Sequence, residues 1–157
     1  MMKFLEEARA YQDSMIQDLR ELVKIESVRD DAHATKEAPF GPNIAKCLDK
    51  ALEIGKRDGF KVENVDGHAG VIQYGDLEES VGVLGHLDVV PLGDGWHFDP
   101  LGGEVKDGYI MGRGTCDDKG PAIAAYYAIK ILKDKGYKLK HNIQMILGTD
   151  EENTSAG

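Results

Sequence analysis

Apolar and polar positions alternate along this chain in two rhythms. Leu5, Ala8, Tyr11, Met15, Leu19 and Leu22 recur at steps of three and four residues, which predicts one amphipathic helix over roughly residues 4–25. DDAHATKEAPFGPN, with Pro39, Gly41 and Pro42, then reads as a loop. The helical rhythm returns with Ile44, Leu48, Ala51 and Leu52 facing inward, and Gly59 is the expected stop. Residues 60–65, 70–74 and 81–84 are short β-type runs separated by turn residues. PLGDGWHFDPLGG reads as loop, and GEVKDGYIMGRG as a hairpin turning at Asp107-Gly108. A third helix is predicted over 121–132, with Pro121 in its first turn, where the missing N–H costs little. Residues 142–147 form a last strand, apolar at most positions, of the kind buried between helical layers. Strands mixed with three helices predict an α/β sandwich. No internal repeat or low-complexity linker interrupts it.

The 157 residues suit one domain with a real core. With 28 acidic and 19 basic residues the formal net charge is −9, which argues against nucleic acid as a partner, since phosphate binding needs clustered Lys and Arg. The acidity serves solubility, or collects a cation. Cys47 and Cys116 lack C-x-x-C spacing, so no disulfide framework is indicated. MMKFLEEARAYQDSM has early acids and no long apolar stretch; it reads as neither signal peptide nor membrane span, and a cytoplasmic protein is expected.

Three stretches carry candidate chemistry. In SVGVLGHLDVVP, a strand delivers His86 and Asp88 two residues apart, on one face of an extended chain. An imidazole can bind metal through one nitrogen while a carboxylate engages the other and fixes the tautomer. H-x-D alone is also common as a loop histidine beside an unrelated acid. In MGRGTCDDKGP, Asp117 and Asp118 open the third helix. They suit an N-cap and the helix dipole, or a carboxylate that bridges cations. In MILGTDEENTSAG, a strand ends in Asp150, Glu151 and Glu152. Neighbours on a strand face opposite ways, so Glu151 and Glu152 are expected to differ in role, one binding a cation and the other accepting a proton. A solvated acidic turn is the plain alternative, above all for Asp150. Taken together the three stretches favour a mixed nitrogen–oxygen metal site suited to zinc, beyond the carboxyl ends of strands.

GHLDVVPLGDGW, GRGTCDDKGP and GTDEE, in this order, resemble the zinc-dependent metallopeptidase family of aminoacylases, carboxypeptidases and desuccinylases. The nearer resemblance is to the bacterial peptidase V (Xaa-His dipeptidase, carnosinase-like) branch. KIESVRDDAHA, KRDGF and GPAIAAYYAIKILKDKG support it. The resemblance implies a three-layer α/β/α sandwich with a mixed sheet, incomplete at the C-terminus: residues 1–157 match the N-terminal part of the catalytic domain. The rest of that domain and a lid domain lie outside them, with a later acidic ligand, a distant histidine ligand and the lid's substrate-gripping groups. It implies hydrolysis of dipeptides at a two-zinc site, with manganese or cobalt able to fit the same ligands.

In that scheme His86, Asp117 and Glu152 are metal ligands, Asp117 bridging both metals. Asp88 supports His86, and Glu151 is the general base. Asp118 and Lys119 belong to the motif without an assigned chemistry. Cys116 is read as packing, and Trp96 as lining the cleft or packing. His33, His68, His97 and His141 match no ligand position and read as loop or surface residues. These residues alone are expected to have little peptidase activity. An N-acyl amino acid deacylase would use the same motifs; a truncated, non-catalytic metal-binding module is the third reading.

Overall fold

A computed structural model describes residues 2–156. Helix α1 (Met2–Arg9) and helix α2 (Gln12–Val23) precede α3 (Pro42–Arg57). Then come β1 (Lys61–Val65), β2 (Ala69–Tyr74), β3 (Ser80–His86), β4 (Glu104–Lys106), β5 (Tyr109–Met111), α4 (Lys119–Asp134) and β6 (Asn142–Gly148).

The first helix predicted from the sequence is two. The chain breaks at Ala10–Tyr11, where the Tyr11 amide bonds to Ala8 three residues back. The break lets the Tyr11 ring pack edge-on against Tyr127 of α4, 6.2 Å away, and its hydroxyl donate to Asp134. Leu5, expected inward, is exposed.

The main sheet runs β1-β2-β6-β3, with β1, β2 and β6 antiparallel and β3 parallel to β6. Helix α4 makes the crossover between β3 and β6, as a parallel pair requires. β4 and β5 form a separate hairpin whose turn, Asp107-Gly108, has positive φ at both residues, the geometry that such a dipeptide favours.

The helices cover one face of the sheet. α3 lies on β1 and β2, α4 lies on β3 and β6, and α2 packs across both helices. Between the layers Leu22, Val23, Leu48, Ile72, Tyr126 and Met145 are almost wholly buried. On the opposite face Leu84 pairs in register with Ile146 and is 80% exposed. Of the three layers the resemblance implies, the described residues hold the sheet and one helical layer. No helix among them is long and apolar enough to cross a membrane.

One polar cluster ties the helical layer together. Asp18 of α2, almost wholly buried, accepts both terminal nitrogens of Arg57 at 2.8 Å and the Tyr127 hydroxyl at 2.7 Å. The same guanidinium donates to Asp58, which also accepts from Tyr126. α2, α3 and α4 therefore share one ionic knot. Burial alone would raise the Asp58 pKa; hydrogen bonds from Arg57 and Tyr126 outweigh it and bring the carboxyl below its ordinary value of 3.8.

Asp18→Ala should cost about 2 kcal/mol in urea denaturation, the low end for a broken pair because half-exposed Arg57 can return to water. The depressed Asp58 pKa contributes stability that is present above 3.8 and lost as pH falls through the folded value. Unfolding midpoints measured below that pH should fall less steeply in Asp58→Asn than in the parent.

Candidate active site

Parallel pairing brings His86 of β3 level with Gly148 of β6. The chains leaving both strands therefore enter the same space, at the carboxyl end of the sheet, and α4 begins beside them. His86 Nε2 lies 3.1 Å from Asp117 Oδ1 and 3.7 Å from Glu151 Oε2. One ligand atom each of His86, Asp117 and Glu152 falls within 4.8 Å of the other two. All five residues singled out from the sequence meet here.

Asp88 has a larger part than support of one histidine. It is fully buried, and its carboxylate stands 3.3 Å from His86 Nδ1. Its two oxygens also accept the backbone N–H groups of Glu151 and Glu152, at 3.1 and 3.0 Å. β6 ends at Gly148, so Glu151 and Glu152 sit on a turn; the expectation that strand alternation separates them is corrected. The Asp88 clasp on adjacent amides separates them instead. The Glu151 side chain is 59% exposed and Glu152 is half-buried.

Asp118 resolves the capping alternative. It occupies the N-cap position of α4, yet its side chain makes no capping bond. Its carboxylate accepts the backbone N–H of His86 at 3.1 Å. Gly85 makes room for this: a Cβ there would come within 2.7 Å of the Asp118 oxygen. Lys119 is fully buried and donates to the carbonyls of Leu22 and Ile25, joining the start of α4 to the end of α2. Gly114, at φ +84°, lies against its stem.

Asp150 is buried, paired with Arg29 at 2.8 Å and bonded to Thr154, where the sequence suggested a solvated acid. Cys116 is exposed, which corrects its reading as a packing residue; Cys47 is buried, and both are free. Trp96 packs within its own loop, against Phe98 and under Arg113. His33, His68, His97 and His141 are all exposed.

Electrostatics separate two groups. For His86, burial favours the neutral ring, but Asp88 and the contact with Asp117 prevail and raise its pKa. Glu152 is raised by burial and by the charges of Asp117, Asp88 and Glu151. A carboxylate pushed up by burial and by neighbouring acids sits in an anionic pocket that a cation would relieve. The donor set of one imidazole and several carboxylates suits a divalent metal such as zinc.

Residues 82–157 match the family model for peptidase family M20/M25/M40. A Staphylococcus aureus (strain USA300) protein, named provisionally as a dipeptidase, is 52% identical over 147 residues. Residues 82–157 are similar to the M20 peptidases. That alignment takes in 94% of this chain and 31% of the staphylococcal one, so the chain spans about a third of the length of the curated relatives it matches. Human carnosine dipeptidase 1 superposes with a TM-score of 0.79 at 28% identity, over 96% of this chain and 35% of that protein. An M20 family metallo-carboxypeptidase from Sulfolobus solfataricus gives 0.71 at 25% identity, over 88% and 31%. The M20 match begins inside β3, so it takes in the whole acid cluster and omits α1, α2 and α3.

Asp88→Ala leaves two backbone amides without their acceptor and takes the carboxylate away from His86 Nδ1, which keeps the Asp88 carbonyl at 3.1 Å. It should destabilise the fold by about 3 kcal/mol in chemical denaturation, well beyond a surface aspartate.

Proposed function

We propose that this chain forms the N-terminal part of the catalytic domain of a metal-dependent dipeptidase, with His86, Asp117 and Glu152 as metal ligands and Glu151 as general base. The observation that carries the proposal is the meeting of His86, Asp117 and Glu152 within 4.8 Å, beside an exposed Glu151. The names of the human and staphylococcal relatives support short peptides as substrates.

Zinc is the leading metal, with two ions in a complete site, which His86, Asp117 and Glu152 would help to hold, Asp117 serving both; manganese and cobalt fit the same donors. When bound, such a metal polarises the scissile carbonyl and lowers the pKa of water. The chain's own residues do the rest. Asp88 occupies the Nδ1 side of His86, so that Nε2 is the nitrogen facing Asp117. Glu151, in solvent at the rim of the cluster, takes a proton from the attacking water and returns it to the leaving amine. The ligands and lid groups that complete the site come from outside residues 1–157, and these residues alone hydrolyse dipeptides weakly or not at all.

An N-acyl amino acid deacylase would use the same residues, and a panel of dipeptides against N-acyl amino acids separates the two. An intact mass well above 17.2 kDa for the natural product would support the partial-domain assignment, and a mass of 17.2 kDa would overturn it.

In the complete enzyme Glu151→Gln should lower kcat by roughly 10²- to 10⁴-fold with zinc uptake unchanged. Asp117→Ala should lose zinc uptake while its circular dichroism stays that of the parent. Undiminished turnover in the first variant, or undiminished uptake in the second, would refute these assignments.

A further inference from the structure

Asp150 is the first acid of the 150–152 run, and nothing in the proposed chemistry uses it. Its carboxylate is completely buried. One oxygen receives Arg29 at 2.8 Å; the other receives the Thr154 hydroxyl and the Ala156 amide. The Asp150 carbonyl accepts the Ser155 amide at 2.7 Å. Asp150 is therefore the hub around which residues 150–156 fold back. Glu151 and Glu152 are its next two residues.

Arg29 is itself held. Its Nε donates to Asp31 at 2.8 Å, and its guanidinium lies over the ring of Phe40, 5.3 Å from the centroid. Phe40 is buried, and its carbonyl accepts the Asp30 amide. Two residues before Arg29, the Ser27 carbonyl accepts the Val89 amide, one position past Asp88. The segment bearing Arg29 is thus tied to the same strand exit that delivers Asp88.

We infer that Arg29 is a positioning residue for the acidic turn: by pairing with buried Asp150 it sets where Glu151 and Glu152 present their carboxylates. The turn is gripped from two sides. Asp88 holds the amides of Glu151 and Glu152, and Arg29 holds the residue that precedes them. Without Arg29, Asp150 is a buried anion with no cation beside it, and its way out is to water, taking the turn with it. What the turn is for rests on the metal-site proposal; how it is held does not.

The test is amide hydrogen exchange in the full chain, read by mass spectrometry on peptides from the turn and from β6 and α4, alongside a zinc titration. In Arg29→Gln, exchange in residues 149–156 should rise about tenfold or more while β6 and α4 keep the parent rates. Zinc affinity should fall by roughly 10- to 100-fold, as for loss of a residue that orients a ligand. Arg29→Lys keeps the charge and gives up the planar fork, so its turn should exchange at an intermediate rate. Parent-like exchange of the turn in Arg29→Gln overturns the inference, and so does a rise shared equally by β6 and α4, which would mean general loosening. Should Arg29→Gln fail to fold, Arg29→Lys is judged by the same two patterns. A parent protein that takes up no zinc would defeat the metal-site proposal and leave the exchange result standing.

Discussion

Much of this structure depends on one buried carboxylate. Asp88 sits beneath the acid cluster with no exposure to water, and such a group is tolerated only when its lone pairs are filled. They are filled by the amides of Glu151 and Glu152 and by the neighbouring His86 ring. The requirement works in both directions. The fold must bring the exit of β6 against the exit of β3 to satisfy Asp88, and Asp88 then fixes how that exit turns. A group that reads in the sequence as the partner of one histidine is the joint between two strands.

The sheet order makes this joint possible. β3 and β6 are parallel neighbours, so their carboxyl ends coincide, and the crossover helix between them starts at the same end. Asp117 and Asp118 lie at that start. Asp118 takes the His86 amide, so the histidine is fixed through its backbone by α4 as well as through its ring by Asp88. Lys119 carries the linkage to the end of α2. The site's geometry is thus set by contacts among three segment ends, and the apolar core beneath them supplies rigidity.

Part of this was legible in the sequence. The helices over 44–58 and 121–132 and the strand over 142–147 stand out because their apolar periodicity is regular and their flanking Gly and Pro residues punctuate it. The five site residues stand out because three short motifs deliver them together. The break at Ala10–Tyr11 does not, because apolar spacing continues through it; the contact of Tyr11 with Tyr127 and Asp134 decides it, and that partner helix is more than a hundred residues away. The buried state of Asp150 was hidden for the same reason: Arg29 is 121 residues distant, and nothing in KIESVRDDAHA says which acid it pairs with. Asp118 could have been found, since it adjoins Asp117 and faces a glycine, Gly85, that gives way to it. Local pattern reports which residues are present; it reports poorly which of them neutralise one another.

That neutralisation bears on the central question of the cluster. The cations nearest to it are already committed. Arg29 is divided between Asp31 and Asp150, and Lys119 points its ammonium at two carbonyl groups. Among the described residues only the His86 ring stands among Asp88, Asp117 and Glu151, and it can carry at most one charge. Burial, with the charges of Asp117, Asp88 and Glu151 added, raises the Glu152 pKa above its ordinary value in spite of His86. A protein that needed only to fold would do better with fewer acids at these positions, since like charges held close together repel. Compensating Asp150 while leaving Glu152 close to Asp117 and Glu151 is the charge distribution expected of a pocket whose balancing cation comes from outside the chain.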